Sequence, residues 1–240
     1  MTWSILARDA ATGELGVAVA SRFLAVGALC PRVEGGVGAA ATQALVNPWI
    51  APRALAALKA GQGAEDALGS LIAADAGRAT RQAHVLSADG RSARHTGADC
   101  IGWCGHVAAQ DVSVAGNMLA GPQVIEATRD AFLGSAGLPL AERLMLAMEA
   151  GEAAGGDKRG RQSVALQVAS DGPIPDLDLR VDDHADPLAE LRRIYRVWHG
   201  YTRHFRRFLP SVDQWGADHP GVFDRAVIQA AISAAQAEQE

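Results

Sequence analysis

Apolar and polar positions change period in blocks along the chain, and the order of those blocks predicts the architecture. Residues 3–8 and 15–21 are runs of small and β-branched apolar residues with few polar interruptions. Such runs suit strands covered on both faces. Residues 9–13 separate them as a turn. Residues 28–33 and 37–43 read as a second pair of strands, turning at Gly35 and Gly36. The period then lengthens. Leu55 and Leu58 mark the buried stripe of a helix in which Pro52 suits the first helical position and which Gly61 stops. Leu68, Leu71 and Ile72 do the same for residues 64–74. A hairpin follows, 82–86 and 91–95 around Asp89-Gly90, with more strand near Val107 and over 112–114. Helical spacing returns over 124–133 and 140–150, and 163–169 reads as a last strand.

Strands, two helices, strands, two helices, strand: this order predicts an α+β fold. Two sheets would face each other with helices on both outer sides, a four-layer αββα sandwich. After Ser170 the pattern breaks. Residues 171–186 are rich in Pro and Asp and read as a linker or extended arm. Over 188–209, Leu188, Leu191, Ile194, Tyr195, Trp198, Phe205 and Leu209 recur at helical spacing, with six arginines filling much of the other face. Pro210 ends that helix, and 222–236 is a weaker, Ala-rich one. The expected organisation is therefore a domain over 1–170 and a helical extension over 171–240.

Composition narrows the class. The chain has 240 residues, 49% hydrophobic and 20% charged, which is ordinary soluble globular material. A net charge of −5 argues against nucleic acid as the main partner. No apolar run approaches the roughly 20 residues a membrane span needs. The first residues lack the basic and apolar regions of a secretory signal. Three cysteines make a disulfide framework unexpected and a reducing cytoplasm the default.

The candidate chemistry begins at Thr2. Methionine before a small residue is expected to be removed, leaving a free α-amine beside a hydroxyl. With a pKa of roughly 7.7–8.0 the amine is partly neutral near pH 7 and can take the proton of its own hydroxyl. By position alone Thr2 is simply a common second residue; the segments that follow change the odds. Residues 16–27, with Ser21-Arg22, resemble the second strand of proteasome β subunits and other N-terminal-nucleophile (Ntn) hydrolases. The acidic residue of that pattern is replaced by Ala20. No lysine matches the proteasome's lysine near the nucleophile, and Arg32 is the nearest basic candidate.

A closer resemblance is to a bacterial family catalogued as a domain of unknown function, number 1028, assigned to the Ntn-hydrolase fold. It rests on residues 2–9, 16–22, 36–43, His95-Thr96-Gly97 with Cys100, 114–119 and 155–163. The resemblance covers roughly residues 1–170 and implies an Ntn fold without a settled substrate. Some members carry an extension described as peptidoglycan-binding, and residues 171–240 look similar to it.

Other residues read as candidates on their own. Asn117 follows Gly116 at a strand end, where its amide could serve an oxyanion hole. Gln43 ends a buried strand and could donate into the same site. Either amide could instead simply tie buried backbone together. Residues 155–163 combine glycines with Asp157, Lys158, Arg159 and Arg161, which together with Arg22 suit recognition of a substrate carboxylate; the bland alternative is a solvated loop. Gly36, Gly38 and Ala41 imitate a dinucleotide fingerprint but lack the helix and the acidic residue it needs. Cys100, Cys104 and His106 lack a fourth metal ligand. No metal and no cofactor are expected.

Two functions compete. One is an amidohydrolase cleaving an amide or ureido C–N bond of a small, carboxylate-bearing substrate, with Thr2 as nucleophile and Ser21 and Asn117 beside it. The other is a non-catalytic module binding an anionic ligand or a cell-wall fragment. A Cys100 nucleophile is a weaker third reading. The 188–209 helix is expected to pack or to form a homodimer rather than bind polymer.

Overall fold

The computed structural model describes residues 2–210 and 225–237. Two antiparallel strands open the chain, β1 (Thr2–Arg8) and β2 (Leu15–Ser21), paired from Thr2↔Ser21 to Arg8↔Leu15. They form the middle of a six-stranded sheet. Next to β1 come β8 (Val112–Leu119) and then β7 (Trp103–Ala109); next to β2 come β9 (Ser163–Ala169) and then β10 (Leu177–Val181). A second sheet holds β3 (Pro31–Glu34), β4 (Gly38–Ala44), β5 (Arg81–Ser87) and β6 (Ser92–Thr96) in that order. Every pairing within the two sheets is antiparallel.

Alternation along the strands explains why their residues are apolar on both sides. Ala40, Ala83, Val85 and Ala93 pack against Ile50, Ala54, Leu55, Leu58, Ala67 and Leu68 of α2 (Ile50–Lys59) and α3 (Ala64–Ala74). The odd-numbered partners Ala39 and Ala41 instead join Leu6, Leu15, Val17, Val33, Leu86 and Ala169, bringing the two sheets together. On the other sheet, α4 (Gln123–Gly134) and α5 (Leu140–Ala153) lie side by side and touch β1, β2, β8 and β9. The approach there is close. A Cβ on Gly151 would meet Thr128 Oγ1 at 2.3 Å and Trp3 Nε1 at 2.9 Å.

Three segments depart from the sequence reading. Residues 28–33 begin not as strand but as the end of a short helix, α1 (Val26–Leu29), entered through Ala25 at φ 52°. The strand starts at Pro31. The stretch read as a linker contains β10, which pairs with β9 from Leu177↔Val168 to Val181↔Val164. Its alternation of Leu177, Leu179 and Val181 with Asp178 and Arg180 suits an edge strand with one wet face. A first compact unit accordingly ends at Leu191, and a second begins at Arg192.

The helix expected over 188–209 is present over 187–208, but its hydrogen-bond pattern changes along the run. It runs as α6 (Pro187–Val197), a π-helical turn (Trp198–Thr202), α7 (Arg203–Phe205) and a 3-10 turn (Arg206–Phe208). Gly200, the weakest helix former of the run, sits in the π turn. Tyr195 stacks on Trp198 and Tyr201 on Phe205, with centroids 5.9 and 6.5 Å apart. The Ala-rich helix is α8 (Arg225–Ala237); residues 222–224 of its expected span lie outside the described residues. Among the described residues no helix is long and apolar enough to cross a membrane.

Candidate functional site

Thr2 begins the central strand β1 and faces the space between the sheets, 7% exposed. Both flanking strands place polar residues in register with it: Ser21 on β2 and Asn117 on β8. Thr2 Oγ1 lies 3.0 Å from Ser21 Oγ. The Thr2 carbonyl accepts from Asn117 Nδ2 and from Gln43 Nε2, each at 3.4 Å. The sequence-derived candidates Thr2, Ser21, Gln43 and Asn117 are thus gathered at one end of the two sheets.

The residue that holds them was not singled out from the sequence. Gln82 of β5 is fully buried, and its Oε1 accepts from Gln43 Nε2 at 2.8 Å and from Asn117 Nδ2 at 3.1 Å. Its own amide nitrogen reaches Thr96 Oγ1 and the carbonyls of Gly105 and Gly116. The polar layer continues inward. Ser4 Oγ donates to Gln43 Oε1 at 2.7 Å and lies 2.8 Å from His84 Nε2, while His84 Nδ1 lies 3.0 Å from Ser113 Oγ. Burial pushes the His84 pKa down to about 3, so its ring is neutral at ordinary pH. A polar residue inside an apolar strand is a weak signal alone. What marks these residues is that Gln43, Gln82, His84 and Ser113 share the inward face, which only the packing of the sheets reveals.

Backbone strain accompanies the site. Gln43 and Asn117 are each followed by a non-glycine residue in the left-handed region, Ala44 at φ 68° and Met118 at φ 55°. Such residues cost about 1–2 kcal/mol each and persist where their surroundings over-determine them.

The loops around this end are tied by the 155–163 segment. The Asp157 side chain is buried and accepts from the backbone N–H of Arg22 at 2.9 Å and of Arg159 at 2.8 Å. It therefore clamps the turn after β2 to the turn before β9. Ser163 does similar work: its hydroxyl accepts from Val26 N–H and donates to the Phe23 carbonyl. The three arginines differ. Arg159 pairs with Asp157 at 3.3 Å, and Arg161 lies 3.6 Å from Glu152 and 3.3 Å from Asp186. Arg22 is exposed and reaches only the Arg161 carbonyl, at 3.5 Å; among the described residues no carboxylate pairs with it. Phe23, Leu24, Leu45, Trp49 and Ile101 stand exposed on loops that leave the same end.

Arg32 and Ala20 face away from the space between the sheets, and Cys100 is not activated. Val33 faces the other sheet, so its neighbour Arg32 points to the opposite face, where it donates to the Pro31 and Ala28 carbonyls. Ala20 is the register partner of Trp3 and shares its helix-facing side, so an acid there would not adjoin the Thr2 hydroxyl. Burial, and next the neighbouring Cys104, push the Cys100 thiol up, opposite to the activation a nucleophile needs. A cavity of about 1080 Å³, bordered by Gly36, Lys59, Asp66, Arg91 and Gln110, opens at the far ends of the strands. None of the polar residues around Thr2 lines it.

Fold and site together define a two-sheet α+β protein with a buried threonine heading its central strand. The chain matches the model of the family of unknown function DUF1028 over residues 2–191, and it belongs to that family. The crystal structure of a protein from Silicibacter pomeroyi, of the same family model, is similar to it. Identity is 31% and the TM-score 0.82, with 90% of this chain and 94% of that chain covered. A second similar structure is Anbu (ancestral beta-subunit) from Yersinia bercovieri, at 10% identity and TM-score 0.38, covering 88% of this chain and 99% of that one. No curated protein matches the chain.

Proposed function

We propose that the two sheets and their helices form the four-layer αββα arrangement of an Ntn hydrolase, and that Thr2 cleaves an amide or ureido C–N bond. The observation that carries this reading is the hydroxyl of Thr2, 3.0 Å from Ser21 Oγ, at the head of the central strand. With Met1, which lies outside the described residues, removed, the Thr2 α-amine is the base. It takes the proton of Oγ1 as Oγ1 bonds to the substrate carbonyl carbon. The C–N bond then breaks, the leaving nitrogen takes that proton, and the acyl group remains as an ester on Thr2. Water hydrolyses the ester with the same amine as base.

Asn117 and Gln43 hold the Thr2 carbonyl and so fix the hydroxyl's direction. Asn117 serves an oxyanion by trading one of its two bonds, to that carbonyl at 3.4 Å or to Gln82 Oε1 at 3.1 Å, for one to the substrate. Arg22, which has no carboxylate partner among the described residues, is the grip for a substrate acid, while Asp157, Arg159 and Arg161 brace the loop around it. The test is intact mass after treatment with an acylating β-lactone. Loss of methionine and one adduct on Thr2, absent from Thr2→Ala, is expected. Retained methionine or an unlabelled Thr2 overturns the mechanism and leaves the binding-module reading, which the unpaired Arg22 also favours.

A further inference from the structure

Cys100 and Cys104 flank the polar layer on its β7 side. Cys100 Sγ lies 3.4 Å from the Arg81 carbonyl, the residue before Gln82. Cys104 is the register partner of Asn117, and its Sγ lies 3.8 Å from the Cys100 carbonyl oxygen. With Cα–C and C=O bonds of about 1.5 and 1.2 Å, that sulfur is at most roughly 6.5 Å from Cys100 Cα. Bonding distance between the two sulfurs requires rotation of the side chains and a shift of the loop between them. Both cysteines are partly exposed, whereas Cys30 is buried.

The loop between them is held on both sides. The Cys100 N–H donates to the Gly97 carbonyl, and the Asp99 N–H to that of Ala79. Gly102 sits at φ 71°, and a Cβ there would lie 2.9 Å from Met118 Cα, so the chain crosses directly over the residue after Asn117.

The geometry points to an oxidation-sensitive dithiol: Cys100 and Cys104 form an internal disulfide on reaction with a low-molecular-weight disulfide of the glutathione type. The Cys104 thiolate attacks one sulfur of the oxidant, forming a mixed disulfide and releasing one thiol. Cys100 gives its proton to solvent and attacks the Cys104 sulfur, releasing the second thiol. Two cysteine thiols are oxidised and one external disulfide is reduced. Burial, and next Cys104, push the Cys100 thiol up, which suits it to the second, intramolecular step. The cross-link removes the Cys100 donor from the Arg81 carbonyl, next to Gln82, whose side chain belongs to the network that holds Thr2. The pairing does not depend on the hydrolase reading.

The test is incubation of the full chain with oxidised glutathione, then alkylation of free thiols under denaturing conditions, intact mass and peptide mapping. Loss of the mass of two hydrogens, a Cys100–Cys104 cross-link and alkylation at Cys30 alone are expected. Three alkylated cysteines, or a glutathione adduct that persists on the wild-type chain, overturn the assignment. Cys104→Ser, with its fold checked by circular dichroism, loses the internal cross-link. If that variant still forms one, Cys30 is the partner and the assignment falls.

Discussion

Between the two sheets, one half of the layer is aliphatic and the other half is hydrogen-bonded. Leu6, Leu15, Val17, Val33 and Leu86 fill the first half without a polar atom in their side chains. Thr2, Ser4, Ser21, Gln43, Gln82, His84, Ser113 and Asn117 fill the second, all buried. Strands β1, β2 and β5 each supply residues to both halves. Hydrogen bonds contribute little net stability when satisfied and cost much when broken, so the polar half is poor as glue and good as a jig. It fixes where the Thr2 carbonyl points.

Substitutions in the two halves should separate these roles. Leu86→Ala in the aliphatic half should cost about 2–5 kcal/mol in urea unfolding. Under folding conditions it should leave Thr2 labelling by an acylating probe intact. Gln82→Ala should cost roughly 1–3 kcal/mol for the donors it strands and should abolish the labelling as well. Equal labelling in the two variants would erase the distinction.

The titration of His84 gives a third measurement. Its pKa falls from the ordinary 6.5 to about 3 in the folded chain, so between those values only the unfolded chain binds the proton. Stability is then full above pH 6.5 and declines as pH falls, by roughly 1.4 kcal/mol per unit across that window. His84→Gln should flatten that limb of the curve; an unchanged slope would mean that the histidine is already charged in the fold. Thr2→Ala should cost only about 1 kcal/mol, its single hydroxyl contact, yet remove all labelling. Smallest of all, Arg22→Gln should shift stability by less than about 0.5 kcal/mol. Its effect should appear only as a raised KM for substrates carrying a carboxylate.

Much of this was readable in the chain. Helices over 64–74 and 140–150 and the strand over 163–169 announced themselves because one period ran unbroken between stop signals. Gln43 and Asn117 were legible because a polar residue at the end of an apolar strand is conspicuous, whereas Thr2 and Ser21 stood out through position and the resemblance to Ntn hydrolases. The helix α1 was not, since four residues give no period and its entry depends on Ala25 taking a left-handed conformation. The strand β10 was masked by the Pro and Asp around it, although its alternation was present. Gln82, His84 and Ser113 needed the second sheet: nothing along one strand tells which face of it will meet another sheet.

The position of β1 also sets a timetable. Its neighbour β2 follows within one short turn, but its other neighbour, carrying Asn117, comes 115 residues after Thr2. At about 5–20 residues per second of synthesis, the start of the chain waits roughly six to twenty seconds before the strand that flanks its other side exists. Until then one edge of β1 is open to whatever processes or chaperones a nascent chain. A fragment ending before β8 can make the first hairpin but lacks Asn117, and with it half of the grip on the Thr2 carbonyl.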